Sequence, residues 1–74
     1  MAQDVFRGDR MKQRRQELGI RQEALAVQLA LSRPQISNLE RGGSEPSMRA
    51  LVLIAYILDV STDYLLDMSD VMKP

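Results

Sequence analysis

Apolar positions along the chain recur at helical spacing and never alternate over a useful length. The pattern predicts an all-α chain of short segments separated by caps and glycines. The first helix is predicted over about residues 8–18, polar except for Met11 and Leu18, which stand two turns apart on one face. Gly19 is placed to end it, and Ile20 to fold back onto the core. A second helix is expected from Gln22 to about Leu29, with Leu25, Ala26 and Leu29 on its inner face. Arg21 stands at its N-cap, where a short side-chain acceptor would serve better.

Ser32-Arg33-Pro34-Gln35 reads as a capping box, with Ser32 at the N-cap and Gln35 three residues on. Pro34 falls in the first turn, where a missing N–H forfeits no helical bond. Ile36 and Leu39 point inward, and Gly42-Gly43 ends the helix. Two short helices joined by a turn of about three residues have the shape of a helix-turn-helix. Ser47 caps a fourth helix reaching about Leu58, and Ser61 a short fifth helix over residues 62–66. Residues 67–74 carry few structural signals and are expected to fray.

The fourth helix is apolar all round over residues 50–58. Leu51, Ile54, Ala55 and Leu58 suffice for one inward face, which leaves Leu53 and Tyr56 off it. That surplus predicts a homodimer built on Leu53 and Tyr56, with packing of the chain's own tail as the alternative cover.

Composition removes whole classes of chemistry. The 74 residues make one small domain, and they include no Cys and no His. Disulfides, thiolate or imidazole metal ligands, and nucleophile–histidine pairs are therefore absent. No phosphate-binding glycine loop occurs either, so neither an enzyme, a cofactor nor a bound metal is expected. Asp59, Asp63, Asp67 and Asp70 lack the pattern of a calcium loop and read as a solvated acidic edge. The uncharged apolar run at 50–58 is far short of the roughly 18 residues that span a bilayer. The N-terminus has no apolar signal core. A cytoplasmic protein without a membrane partner is expected, and with no effector domain, no small-molecule ligand. Aromatic residues make up 4% of the chain, too few for a base-stacking platform.

The formal net charge is zero, but it is unevenly spread. Between Arg7 and Arg41 stand eight basic and four acidic residues; from Ala50 onward stand four acidic residues and one lysine. This asymmetry fits a polyanion-binding front and an acidic back.

The ordered set Gln22-Glu23-Ala24-Leu25-Ala26, residues 31–42, Pro46-Ser47 and residues 60–66 resembles the helix-turn-helix domains of lambda-type phage repressors, Cro proteins and Xre-type regulators. The likeness covers about residues 7–66. It implies five helices, the third being the recognition helix, whose first turn enters the major groove of double-stranded DNA. With Ile36 and Leu39 inward, Arg33, Pro34, Ser37 and Asn38 are left to face bases. Arg33 suits guanine O6 and N7, and Asn38 suits adenine N6 and N7 or a phosphate; Pro34 offers only apolar contact. Family members often carry a polar residue where Pro34 stands. Gln22, Ser32 and Arg41 fall at phosphate-binding positions, Gln22 at a helix N-terminus that favours anions. The resemblance also implies a structural ion pair between Arg15 and Glu40. The function implied is a bacterial or phage-encoded transcriptional regulator, a repressor binding an inverted-repeat operator as a dimer. The rival reading is a protein-interaction module of the same fold, an antitoxin or adaptor.

Overall fold

The computed structural model describes residues 6–73, which form five helices: α1 (Gly8–Glu17), α2 (Gln22–Leu29), α3 (Arg33–Glu40), α4 (Met48–Leu58) and α5 (Thr62–Leu65). No strand occurs among the described residues. The bundle measures 32 × 24 × 19 Å. Its core gathers Phe6, Met11, Leu25, Leu29, Ile36, Leu39, Ile54, Leu58, Val60 and Leu65, so every helix contributes.

Three of the five helix starts are set by local side-chain caps. Ser32 Oγ accepts from Gln35 N at 3.2 Å while Gln35 Oε1 accepts from Ser32 N at 2.8 Å, completing the capping box on α3. Ser47 and Ser61 cap α4 and α5 through Ala50 N and Tyr64 N, each at 3.0 Å. Arg21 makes no side-chain cap on α2. The ends are equally local. Gly42 adopts φ +82° after α3, a conformation that costs an L side chain about 1–2 kcal/mol. Ala30 after α2 and Asp59 after α4 adopt the same left-handed region without glycine, both at φ 56°.

Three expectations are corrected. Leu18 is the C-cap residue of α1 and, although its N–H still bonds to Arg14 O, its side chain is 41% exposed. The inward stripe of α1 is instead Gly8, Met11 and Arg15. Gly8 is there for its size: a Cβ on it would collide with the backbone carbonyl oxygens of Leu39 and Glu40, so α1 rests directly on the end of α3. On α4, Leu53 is half-buried and packs against the core, as do Leu51 and Ile57. The exposed apolar residues of this helix are Met48, Val52 and Tyr56.

The third correction is the tail, which is fastened. Ser61 N donates to Met72 O at 2.8 Å, and the Met72 side chain packs on the core. Arg10 stacks 4.2 Å over the Tyr64 ring and donates to Tyr64 O at 2.8 Å, Ser69 O at 2.9 Å and Asp70 Oδ1 at 3.0 Å. Lys73 Nζ reaches Asp59 Oδ2 at 2.7 Å and Arg7 reaches Asp67 at 2.9 Å. Three of the four late aspartates hold ion pairs while staying solvated, with side chains 52–96% exposed. Met1–Val5 and Pro74 lie outside the described residues.

Candidate nucleic-acid interface

The turn 30–32 sets α3 against α2, and burial of Ile36 and Leu39 fixes its rotation. Arg33 and Pro34 are exposed on the first turn, and Ser37 and Asn38 are half-buried one turn on. The four residues thus share the side of α3 away from the core.

Behind this face runs a continuous polar chain. Arg15 and Glu40 are both buried, at 7% and 6% exposure, and meet through two parallel bonds of 2.6 and 3.1 Å. Arg15 Nη1 also donates to Ile20 O at 2.7 Å, so all three guanidinium nitrogens are engaged. Such a pair is costly to break, because a lone buried charge would survive. Glu40 Oε1 further accepts from Gln22 Nε2 at 2.9 Å, and Gln22 Oε1 accepts from Arg33 Nη1 at 3.0 Å. The chain therefore leads from the interior, through the first residue of α2, to the exposed guanidinium of α3.

Arg41 closes the other end of the face. Its Nη1 donates to Ser37 Oγ at 2.7 Å and its Nη2 to Asn38 Oδ1 at 3.2 Å. Ser32 Oγ uses a lone pair in the cap, leaving its hydroxyl hydrogen free to reach an oxyanion. The tie of Gln22 to Glu40 and Arg33 joins separate helices and has no periodic signal, whereas the grip of Arg41 on Ser37 and Asn38 spans four and three residues and follows helical spacing. Gly43 had no local signal beyond its place after α3, yet it makes room for the Asn38 amide.

The charges sort differently from their order in the chain. Arg7, Arg10, Arg14 and Lys73 pair with carboxylates on the tail side or on α1. Arg14 Nε also takes the carbonyl of Leu58, one of the orphan acceptors ending α4, at 2.8 Å. The side-chain bond from Lys73 holds the Asp59 carboxyl below its ordinary range, and Arg7 does the same for Asp9. Its bonds to Asp9 and Asp67 hold Arg7 yet more firmly protonated. Among the described residues, Lys12, Arg21, Arg33, Arg41 and Arg49 have no carboxylate partner within 4 Å.

Tyr56 is 83% exposed and Val52 55%, flanking a shallow cleft toward Thr62 and Asp63. Leu53 does not join them. No helix among the described residues is long and apolar enough to cross a membrane.

A family model described as helix-turn-helix matches residues 11–65. The chain is 36% identical over 66 residues to the HTH-type transcriptional regulator ImmR of Bacillus subtilis, a match covering 89% of this chain and 52% of ImmR. It spans about half the length of that relative. In structure it is similar to the P22 c2 repressor solved in complex with a synthetic operator, with TM-score 0.79 and 37% identity over 92% of this chain and all of that one. It is also similar to SinR of Bacillus subtilis, the master regulator for biofilm formation, solved in complex with DNA. There the TM-score is 0.71 and the identity 36%, over 81% of this chain and 97% of that one.

Proposed function

The chain belongs to the helix-turn-helix family, of the Xre and lambda-repressor type, and from that premise we propose that it is a sequence-specific double-stranded DNA-binding repressor. The observation that carries the reading is the outward face of α3, with Arg33, Pro34, Ser37 and Asn38 on a helix whose angle is locked to α1 and α2 through Glu40. In this reading Arg33 donates to guanine O6 and N7, Pro34 makes apolar contact with a thymine methyl, and Ser37 and Asn38 address neighbouring base edges. Gln22, Ser32 and Arg41 hold backbone phosphates, Gln22 from the positive end of α2.

Activity is by occupancy, not catalysis, in the cytoplasm of a bacterium or of a phage-infected cell. A homodimer through Val52 and Tyr56 places two recognition helices about one DNA turn apart, roughly 34–36 Å, on inverted half-sites. Doubling each half-site contact is how so few base-reading residues reach useful affinity.

Selection of bound duplexes from a random library tests this. An enriched inverted repeat, with Arg33→Ala losing preference at one base pair per half-site, is the expected result. Recovery of unselected sequence by the wild type would overturn it.

A further inference from the structure

Asn38 is the one base-facing residue whose two ends differ in chemistry: Oδ1 accepts and Nδ2 donates twice. Which end reaches the groove decides which base it reads. Adenine needs both ends together, since N6 donates and N7 accepts; guanine, with O6 and N7, needs donors alone, and thymine O4 likewise.

The side chain is not free to choose. Oδ1 accepts from Arg41 Nη2 at 3.2 Å, and since a guanidinium can only donate, the atom facing it must be the oxygen. The same oxygen lies against the Cα of Gly43. A Cβ on Gly43 would overlap it and would come within 3.0 Å of Asn38 Cγ. The glycine is therefore a niche for the amide carbonyl. Gly43 has no left-handed φ that would demand it for backbone reasons, unlike Gly42 beside it. Arg41 is itself steadied from Ser37 Oγ at 2.7 Å, so its fork spans both side chains.

We infer that Arg41 and Gly43 are positioning residues that set base specificity, turning the Asn38 carbonyl back along α3 so that only N–H donors face the groove. This rests on the DNA-binding reading above and sharpens it: Asn38 addresses an acceptor edge, guanine or thymine, and not adenine. The plain pairing of Asn38 with adenine is thereby set aside. Arg41 serves the helix as a two-pronged donor, which a lysine of equal charge does not reproduce.

The test has two arms. In the DNA-free protein, nuclear Overhauser contacts of the Asn38 Nδ2 protons report which end of the amide turns to Gly43, and three-bond couplings report its χ1 angle. A single rotamer in the wild type, averaged in Arg41→Lys and in Gly43→Ala, is expected. An averaged rotamer in the wild type, or one unmoved by both substitutions, overturns the niche. With circular dichroism confirming that each variant is folded, the second arm repeats the duplex selection. The base pair that loses preference in Asn38→Ala should be guanine or thymine on the strand read. Discrimination there should fall at least about fivefold in Arg41→Lys and Gly43→Ala, while Arg41→Lys keeps the wild-type salt slope. Adenine at that pair, or wild-type preference retained by both variants, overturns the inference. A wild type that selects no sequence counts against DNA reading itself, and the Overhauser contacts of the Asn38 amide then decide the niche alone.

Discussion

Gln22 and Arg33, eleven residues apart on successive helices, are joined side chain to side chain at 3.0 Å. The Gln22 amide is fixed from both sides, its oxygen taking the arginine and its nitrogen giving to Glu40 at 2.9 Å. Arg33 is thus aimed before any ligand arrives, which lowers the entropy lost on binding. Gln22→Ala should leave the melting temperature near wild type, because the residue is only half-buried. It should weaken binding to the selected duplex by about 1–2 kcal/mol and blur preference at the Arg33 base pair. Fluorescence anisotropy across a panel of single-base variants is the measurement. A uniform loss on all sequences would assign Gln22 to phosphate alone.

The Arg15–Glu40 pair carries a stability prediction. Removing one partner, as in Arg15→Met, should cost about 3–5 kcal/mol. A domain of this length has on the order of 4–11 kcal/mol in all. Arg15→Met with Glu40→Leu should recover most of the loss, since no unpaired charge remains. Urea unfolding of both singles and the double decides it, and equal destabilisation by the double would refute the argument.

Gly8 and Gly43 make a contrasting pair. Gly8→Ala pushes a methyl into backbone carbonyls that cannot move without separating α1 from α3. A cost of about 1–3 kcal/mol is expected despite the better helix propensity of alanine. Gly43→Ala meets only the end of a side chain and should unfold within about 0.5 kcal/mol of wild type. Thermal melts of the two variants would reverse this ranking if the close approach were unimportant.

On α4 the two neighbours Leu53 and Tyr56 should behave oppositely. Tyr56→Glu introduces charge on a side chain that is already 83% exposed, so it should abolish self-association and leave the fold intact. Leu53→Glu puts a charge against the core and should unfold the chain. Sedimentation equilibrium with circular dichroism separates these outcomes. A wild type that is monomeric at tens of micromolar without DNA would remove the dimer from the reading.

Acid should loosen the tail. Lys73 depresses the Asp59 carboxyl in the folded state, so the contact stabilises above the unfolded pKa of about 3.8 and is lost as pH falls through the lower folded value. The Asp9 carboxyl, held down by Arg7, follows the same sign. The protection factor of the Ser61 amide, bonded to Met72 O, should fall below about pH 4 in the wild type, relative to the intrinsic rate at each pH. Asp59→Asn should show that lower protection at every pH.

The legible parts of the sequence are those set over a few residues. The capping box at Ser32 and the glycine stop at Gly42 are local chemistry, and they framed α3 to the residue. Leu53 was misplaced because a segment apolar on every side has no preferred face, and only packing against α1, α2 and α5 chooses one. Leu18 was misplaced because spacing puts it over Met11 without showing whether another element covers the end of α1. The tail was missed for another reason: Arg7–Asp67 and Arg10–Asp70 join residues sixty apart, a distance no local signal spans. In the site, residue types marked the outward face of α3, but which atom of Asn38 faces out depends on Arg41 and Gly43 together.

The pairing of Arg7, Arg10, Arg14 and Lys73 with carboxylates bears on how the protein would travel. A cation already neutralised displaces few counterions when it nears a phosphate, and that release supplies most of the grip on arbitrary sequence. Among the described residues, Lys12, Arg21, Arg33, Arg41 and Arg49, which have no carboxylate partner, are left to provide it. The residence time on a wrong site should therefore be short, and the search would proceed by brief landings and departures rather than long one-dimensional slides. Occupancy would then follow the few hydrogen bonds of α3, and a promoter would be found by repeated sampling rather than by a lasting hold on the surrounding genome.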